Sequence, residues 1–336
     1  MGMNLFNSFI ARASAAFSSS PKIRGRFFAL VTVVIWVGFI IIARASSHGS
    51  LTGLDIATLR ILGASSVLLP IGFWITKSRR STQSTTDLEQ AGSFWGLSPL
   101  SRRLTVQMGL AGGSLYAALC YSGFFFAPAA HASVLLPGSL PLWTSLIAWL
   151  MIVQPINSNR MLGLVMILTG DLLVGGPSLL NIFNNEGVWR GDALFMTASI
   201  SWSFYTVLVR QHGVKAVHAT TAITVFSFFT FIPLYLILCL SGLISSNLIE
   251  APIPEIVFQF LFQGVLSVVV SGITFNQMIR YFGPVRSTMI TAVVPGLSAI
   301  GASLILGESM SLYVMCGLAL VTLGIVFGVQ RVPVKS

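Results

Sequence analysis

Charge is what this chain has least of. Of its 336 residues only 9 are Asp or Glu and 19 are Lys or Arg, 8% in all, against roughly 25% in a soluble domain. So few charges cannot cover a water-facing surface, and an ordinary soluble globule is excluded. Cysteine is equally scarce. Cys120, Cys239 and Cys316 stand singly in apolar runs without a Cys-x-x-Cys pair or a neighbouring His, which leaves them as small buried hydrophobes. Catalytic signatures are missing as well. No Gly-x-Ser-Gly, Gly-x-Gly-Asp or His-Glu-x-x-His pattern occurs, and Gly170-Asp171 and Gly191-Asp192 lack the preceding glycine that the second pattern needs. Without a Walker loop, a haem pair or a Cys/His cluster, neither an enzyme nor a cofactor or metal is expected.

Apolar residues, by contrast, make up 54% of the chain and gather in long blocks. Ten runs of about 20 residues stand out, at 27–45, 55–76, 104–126, 129–152, 161–178, 189–210, 219–241, 256–281, 285–307 and 310–330. Lipid offers no hydrogen bonds and the runs are too long for barrel strands, so each is expected to be an α-helix. The expected fold is an all-α polytopic membrane protein of ten transmembrane helices. A net charge of +10 would suggest nucleic acid in a soluble protein, but here the basic residues cluster at span ends and set topology instead. With the N-terminus in the cytoplasm, every Lys and Arg except Arg44, Arg60 and Arg190 falls on or near the cytoplasmic side. Both termini are therefore expected inside, lipid is the expected surroundings, and nucleic acid is not an expected partner.

The sequence divides into a cytoplasmic tail at 1–26, a first unit at 27–178 with a polar cytoplasmic loop at 77–103, a second unit at 189–330 and a short tail at 331–336. The first 21 residues carry Arg12, several serines and no acid, a composition shared by flexible tails and targeting segments; no apolar core with a cleavage site follows, which favours a tail. The two units are copies. At an offset of 166, Gly25, Trp36 and Arg44 meet Gly191, Trp202 and Arg210; at 154, Ser133, Pro141, Gln154, Gly163 and Gly170 meet Ser287, Pro295, Glu308, Gly317 and Gly324. Five spans per copy is an odd number, so the second copy must enter the membrane from the opposite side. Inverted repeats of this kind underlie alternating access.

A Trp in the first helix of each half, Arg60 early in span 2, a mid-helix Pro141 or Pro295 followed by a turn at Gln154 or Glu308, and a Gly-bearing last helix together resemble the paired EamA units of the drug/metabolite transporter superfamily. The match covers about residues 25–330. One departure is visible: the fourth helix of the family unit commonly ends in Gly-Glu, kept here as Gly307-Glu308 but replaced in the first half by Val153-Gln154-Pro155. The resemblance implies a multi-pass protein of the bacterial inner (plasma) membrane. Its cavity would be bordered by spans 1–4 and 6–9, and its activity would be export of a small metabolite, amino-acid-like or amphipathic. Import or exchange of a nucleoside, sugar or vitamin is the alternative, and a channel or scramblase a more distant one.

Several residues are candidates for the site, each with a plainer reading beside it. Trp36 and Trp202 lie mid-helix rather than in the interfacial belts, and a buried indole needs a partner or a ligand to stack on; opposite walls of a cavity or structural packing both fit. Tyr116 shares a glycine-rich face with Gly109, Gly113, Cys120 and Gly123, which suits a cavity wall or close helix packing. Asn276 and Gln277 in span 8, with Ser199, Ser203, Tyr205 and Thr206 in span 6, suit neutral or zwitterionic ligands or interhelical hydrogen bonds. His131 could bind, gate or simply be a solvated end residue. Pro137, Pro141 and Pro295 weaken carbonyl bonds four residues earlier and act as hinges or as permanent kinks. Asp171 lies about 16 Å beyond Arg160 along its helix, where a carboxyl must be protonated, paired or wetted; it is a candidate for proton coupling, or a structural partner of Arg60. Gly317, Gly324 and Gly328 form a small-residue seam that suits either a homodimer or an intrachain contact.

Overall fold

A computed structural model describes residues 21–80, 92–180, 187–291 and 293–328. Most of the N-terminal tail, the centre of the 77–103 loop and the 331–336 tail lie outside those residues. Among the described residues there is no strand, only one isolated bridge between Ser93 and Ser98. We number the helices α1 (Pro21–Ser46), α2 (Gly53–Arg80), α3 (102–124), α4 (Ala129–Ile152), α5 (Ser158–Leu180), α6 (Val188–Gln211), α7 (Ala216–Leu240), α8 (Ile253–Phe282), α9 (Pro284–Leu306) and α10 (Leu312–Gly328). Eight of these described helices, all but α3 and α10, are long and apolar enough to cross a membrane. Their ends fall close to the hydropathy boundaries. The largest departure is α1, which starts at Pro21 rather than near 27.

Local chemistry explains where the helices start. At the head of α2 the Thr52 N–H donates to Asp55 Oδ2 at 2.9 Å and the Asp55 N–H to Thr52 Oγ1 at 3.2 Å, a reciprocal capping box that fills two otherwise orphaned donors. Asn157 Oδ1 accepts from the Arg160 N–H at the start of α5, and Gly283-Pro284 opens α9 with the proline in the first turn. Three helices change pitch midway. Leu110–Ser114 in α3, Val134–Gly138 in α4 and Phe260–Val270 in α8 are wound as π-helix. Such turns leave backbone groups imperfectly paired, and in a membrane they are tolerated only where protein or water covers them.

The repeat is visible in the contacts. Gly163 packs on Gly324 and Gly170 on Gly317: a Cβ on Gly324 would lie 2.6 Å from the Gly163 carbonyl oxygen, and one on Gly317 would lie 2.8 Å from that of Gly170. Because 163 pairs with 317 and 170 with 324 in the internal repeat, these crossed contacts are what a local two-fold axis between α5 and α10 requires. The two helices run antiparallel, and the glycine seam is used within the chain. Trp36 and Trp202, also equivalent positions, meet each other at a ring-centroid distance of 6.2 Å.

Candidate substrate site

A cavity opens beside that tryptophan pair. It is lined by Trp36, Phe39 and Ile40 of α1, Arg60 of α2, Tyr116 of α3, Leu136, Pro137 and Leu140 of α4, Ser199 and Trp202 of α6, Ser267 and Ser271 of α8, and Val294 of α9. It is a slot of about 480 Å3, open solvent at its mouth included. A second slot of about 410 Å3 adjoins it and shares Arg60, Trp202 and Ser267, continuing past Gly112 and Gly113 of α3, Ile223, Thr224 and Ser227 of α7, and Gly272 of α8. Neither α5 nor α10 lines either slot.

The irregular backbone and the cavity coincide. Leu136 and Pro137 come from the π-wound part of α4, Ser267 from that of α8, and Gly112 and Gly113 from that of α3. Hydroxyls absorb part of the unpaired backbone: Ser199 Oγ donates to the Leu136 carbonyl at 2.9 Å and receives Ser139 Oγ at 2.8 Å, while Ser201 Oγ donates to the Ala111 carbonyl at 2.7 Å. In the lining of the first slot one donor is left over, and in that of the second the Thr224 hydroxyl also has no partner. Trp202 is 7% exposed, and its indole Nε1–H has no hydrogen-bond partner, although the ring is packed by Tyr116 at 4.7 Å, Tyr205 at 5.1 Å and Phe275 at 6.1 Å. A buried donor without an acceptor costs free energy until water or a ligand supplies one.

Two ranges of the chain, residues 23–176 and 189–329, match the sequence profile of the EamA-like transporter family. The chain belongs to the EamA-like transporter family. It is 23% identical over 240 residues to a protein of Bacillus subtilis (strain 168) named "Uncharacterized transporter YyaM", spanning 68% of this chain and 74% of that one. Its fold is similar to a solved structure described only as "Crystal structure of protein", with a TM-score of 0.58 and 18% identity over 92% of this chain and 99% of that one. Membership in the EamA-like family makes the chain a multi-pass integral membrane transporter, not an enzyme.

Within this EamA-like fold the residues singled out from the sequence separate into two groups. Trp36, Tyr116, Trp202 and Pro137 line the slot. The two tryptophans stand edge to face rather than on opposite walls. Tyr205 backs Trp202, and its hydroxyl accepts from Asn276 Nδ2 at 2.8 Å; that amide group also reaches Thr220 and the Gly272 carbonyl, so Asn276 is occupied in joining α6, α7 and α8. Gln277 is half-buried and lines neither slot. His131 is bonded through Nδ1 to Asp192 Oδ1 at 2.8 Å, away from the slot. Pro141 opens the second part of α4, and Pro295 follows the break in α9, where the Thr291 carbonyl takes the Val294 N–H. Gly113 and Gly123 admit the side chains of Ser227 and Phe195, so close packing accounts for that glycine face around Tyr116.

Asp171 and Arg60 do not meet. Both Asp171 carboxylate oxygens are buried without a hydrogen-bond partner, while Arg60 bonds to Tyr121 and Ser267. Eight of the lining residues are not singled out for the site by the sequence, Arg60 and Phe39 among them. Arg60 was assigned a structural role, though an isolated charge inside a span was the available signal. Phe39 carried no signal that separates it from the other phenylalanines.

Proposed function

We propose that this chain is a secondary transporter that moves a small organic metabolite, amino-acid-like or amphipathic, by alternating access around the slot, working as an exporter. The observation that carries the reading is the slot itself. Seven helices from both repeats converge on it, the equivalent Trp36 and Trp202 meet in its wall, and a desolvated indole N–H is left without an acceptor. Inverted repeats let one scaffold adopt two shapes of similar energy by exchanging the conformations of its halves. In this reading α3 and α10 also cross the membrane, giving ten spans with both termini in the cytoplasm, as the Lys/Arg distribution supports. The bacterial relative supports the inner membrane as the location.

Two experiments test it. Labelled single-cysteine variants at 90 and 335 should report the cytoplasmic face and one at 248 the opposite face; finding 90 and 335 on different faces would sink the ten-span topology. In proteoliposomes, Trp36→Ala should weaken apparent affinity for a transported compound by about tenfold through loss of a stacking surface while the protein still folds, because Trp36 is only half-buried. Unchanged affinity would remove the tryptophans from the site.

A further inference from the structure

Arg60 is 7% exposed and borders both slots, so it stands at their junction. Its Nη1 donates to the Tyr121 hydroxyl at 3.2 Å and to Ser267 Oγ at 3.1 Å, both neutral. The rings of Phe39, Tyr116 and Tyr121 surround the guanidinium with centroids 5.8, 5.9 and 5.8 Å from Cζ. Among the described residues no carboxylate pairs with it: the two ion pairs are Arg44 with Glu308 and His131 with Asp192. Ring faces attract a cation but do not neutralise it. A buried charge normally has a counter-ion, because its desolvation is otherwise uncompensated. Nε and Nη2 have no protein acceptor among the described residues, and these are the groups with which a guanidinium grips a carboxylate two-pronged.

The rest of the lining narrows the choice. Neither slot contains an acidic residue or a second basic one, so a diphosphate or other multiply charged group would be under-neutralised and an ammonium would find no counter-charge. The unpartnered Trp202 Nε1–H is a second donor on the same lining; Ser199, Ser267 and Ser271 also line the first slot but bond to protein groups, and the rest of its wall is aromatic or aliphatic.

We propose that Arg60 anchors the carboxylate of a monoanionic organic acid whose flat apolar body lies against Trp36 and Trp202, in preference to a zwitterion or a neutral compound. The inference rests on reading the slot as the substrate site. It assigns that site a charge class and names the residue that sets it.

The test uses the full chain in lipid nanodiscs with three probes of one shape, 3-phenylpropanoate, 3-phenylpropanamide and phenylalanine, and binding measured by calorimetry. The acid should bind at least about tenfold more tightly than the amide, the least expected of a hydrogen bond to a charged group, and phenylalanine no better than the amide. Arg60→Gln should erase the difference, and Arg60→Lys should keep a reduced preference for the acid. If Arg60→Gln fails to fold, the reduced preference of Arg60→Lys decides. Equal binding of acid and amide, tighter binding of phenylalanine, or an unaltered acid preference in either variant overturns the anchor. Should the amide or phenylalanine bind best and be weakened by Trp36→Ala, the slot remains the substrate site and only the anion assignment falls. If no probe binds, the anchor is overturned, and the Trp36→Ala transport assay decides separately on the slot.

Discussion

The repeat makes Arg44 and Glu308 of one end equivalent to Arg210 and Gln154 of the other, and the two ends differ where the backbone does not. At the first, Arg44 Nε donates to Glu308 Oε1 at 2.6 Å, Arg44 Nη1 to the Phe124 carbonyl at 2.8 Å, and the Ala129 N–H to Glu308 Oε2 at 3.0 Å. Four helices or their junctions, α1, α3, α4 and α9, are tied by one ion pair. Nearby, Asp55 accepts from the Tyr235 hydroxyl and from the Asn247 N–H, and Ser50 donates to Glu255. At the second end Arg210 is exposed and in no ion pair among the described residues, and the Gln154 Oε1 is buried with no partner. The helix ends differ too: Gly307 takes the left-handed conformation at φ 69° without penalty, whereas Val153 is forced into it at φ 51°. Of these two equivalent positions, only the Arg44 one thus carries an ion pair among the described residues. Under alternating access, that asymmetry favours the state closed at the Arg44 end.

Breaking that ion pair should have the largest effect. Glu308→Gln leaves Arg44 without its counter-charge and weakens the bond from Ala129, a loss of about 2–3 kcal/mol for a hydrogen-bonded, mostly buried charge. Alkylation of a cysteine placed at residue 47 should then accelerate strongly, and an unchanged rate would show that the pair does not hold this end shut. Building the missing carboxylate should act in the opposite sense and more weakly. Gln154→Glu offers Arg210 a partner in the state closed at the other end; an exposed pair of this kind is worth about 0.2–1 kcal/mol. In the Glu308→Gln background it should add to the labelling at 47, and no additional labelling would mean that the two positions do not meet. Val153→Gly should have the smallest effect. It relieves about 1–2 kcal/mol of left-handed strain but returns part of this as backbone entropy, so thermal unfolding should rise by a few degrees at most. A fall would show that the Val153 side chain, 80% exposed in this structure, contributes packing of its own.

How far the sequence disclosed this molecule depended on which physical force wrote each feature. Helix positions were legible because lipid demands apolar runs of fixed length, and the two-fold relation was legible because Trp36 and Trp202, or Gly163 and Gly317, recur at constant offsets. The slot was only half legible. Trp36 and Trp202 stand out as polar-edged rings in the wrong place for a membrane interface, and Tyr116 by its glycine-rich helical face. Arg60 reads as structural in the sequence, because a lone charge in a span announces a partner without saying whether that partner is protein or ligand. Its suggested partner Asp171 lies on α5, a helix that supplies nothing to either slot. The amides at 276 and 277 looked alike in sequence, yet their helical positions differ by about 100°, and only Asn276 is buried in the α6–α7–α8 junction.

The meeting of Trp36 and Trp202 also gives the protein an optical signature. Two indoles 6.2 Å apart and inclined by 77° have electronic transitions close enough to mix and oriented to do so with a definite handedness. The pair should therefore contribute a coupled band to the near-ultraviolet circular dichroism, a band unavailable to Trp74 and Trp95, which are exposed on the protein's surface. Any molecule that wedges between the rings, or any motion that draws α1 from α6, would dim it, so occupancy of the slot can be followed without attaching a label.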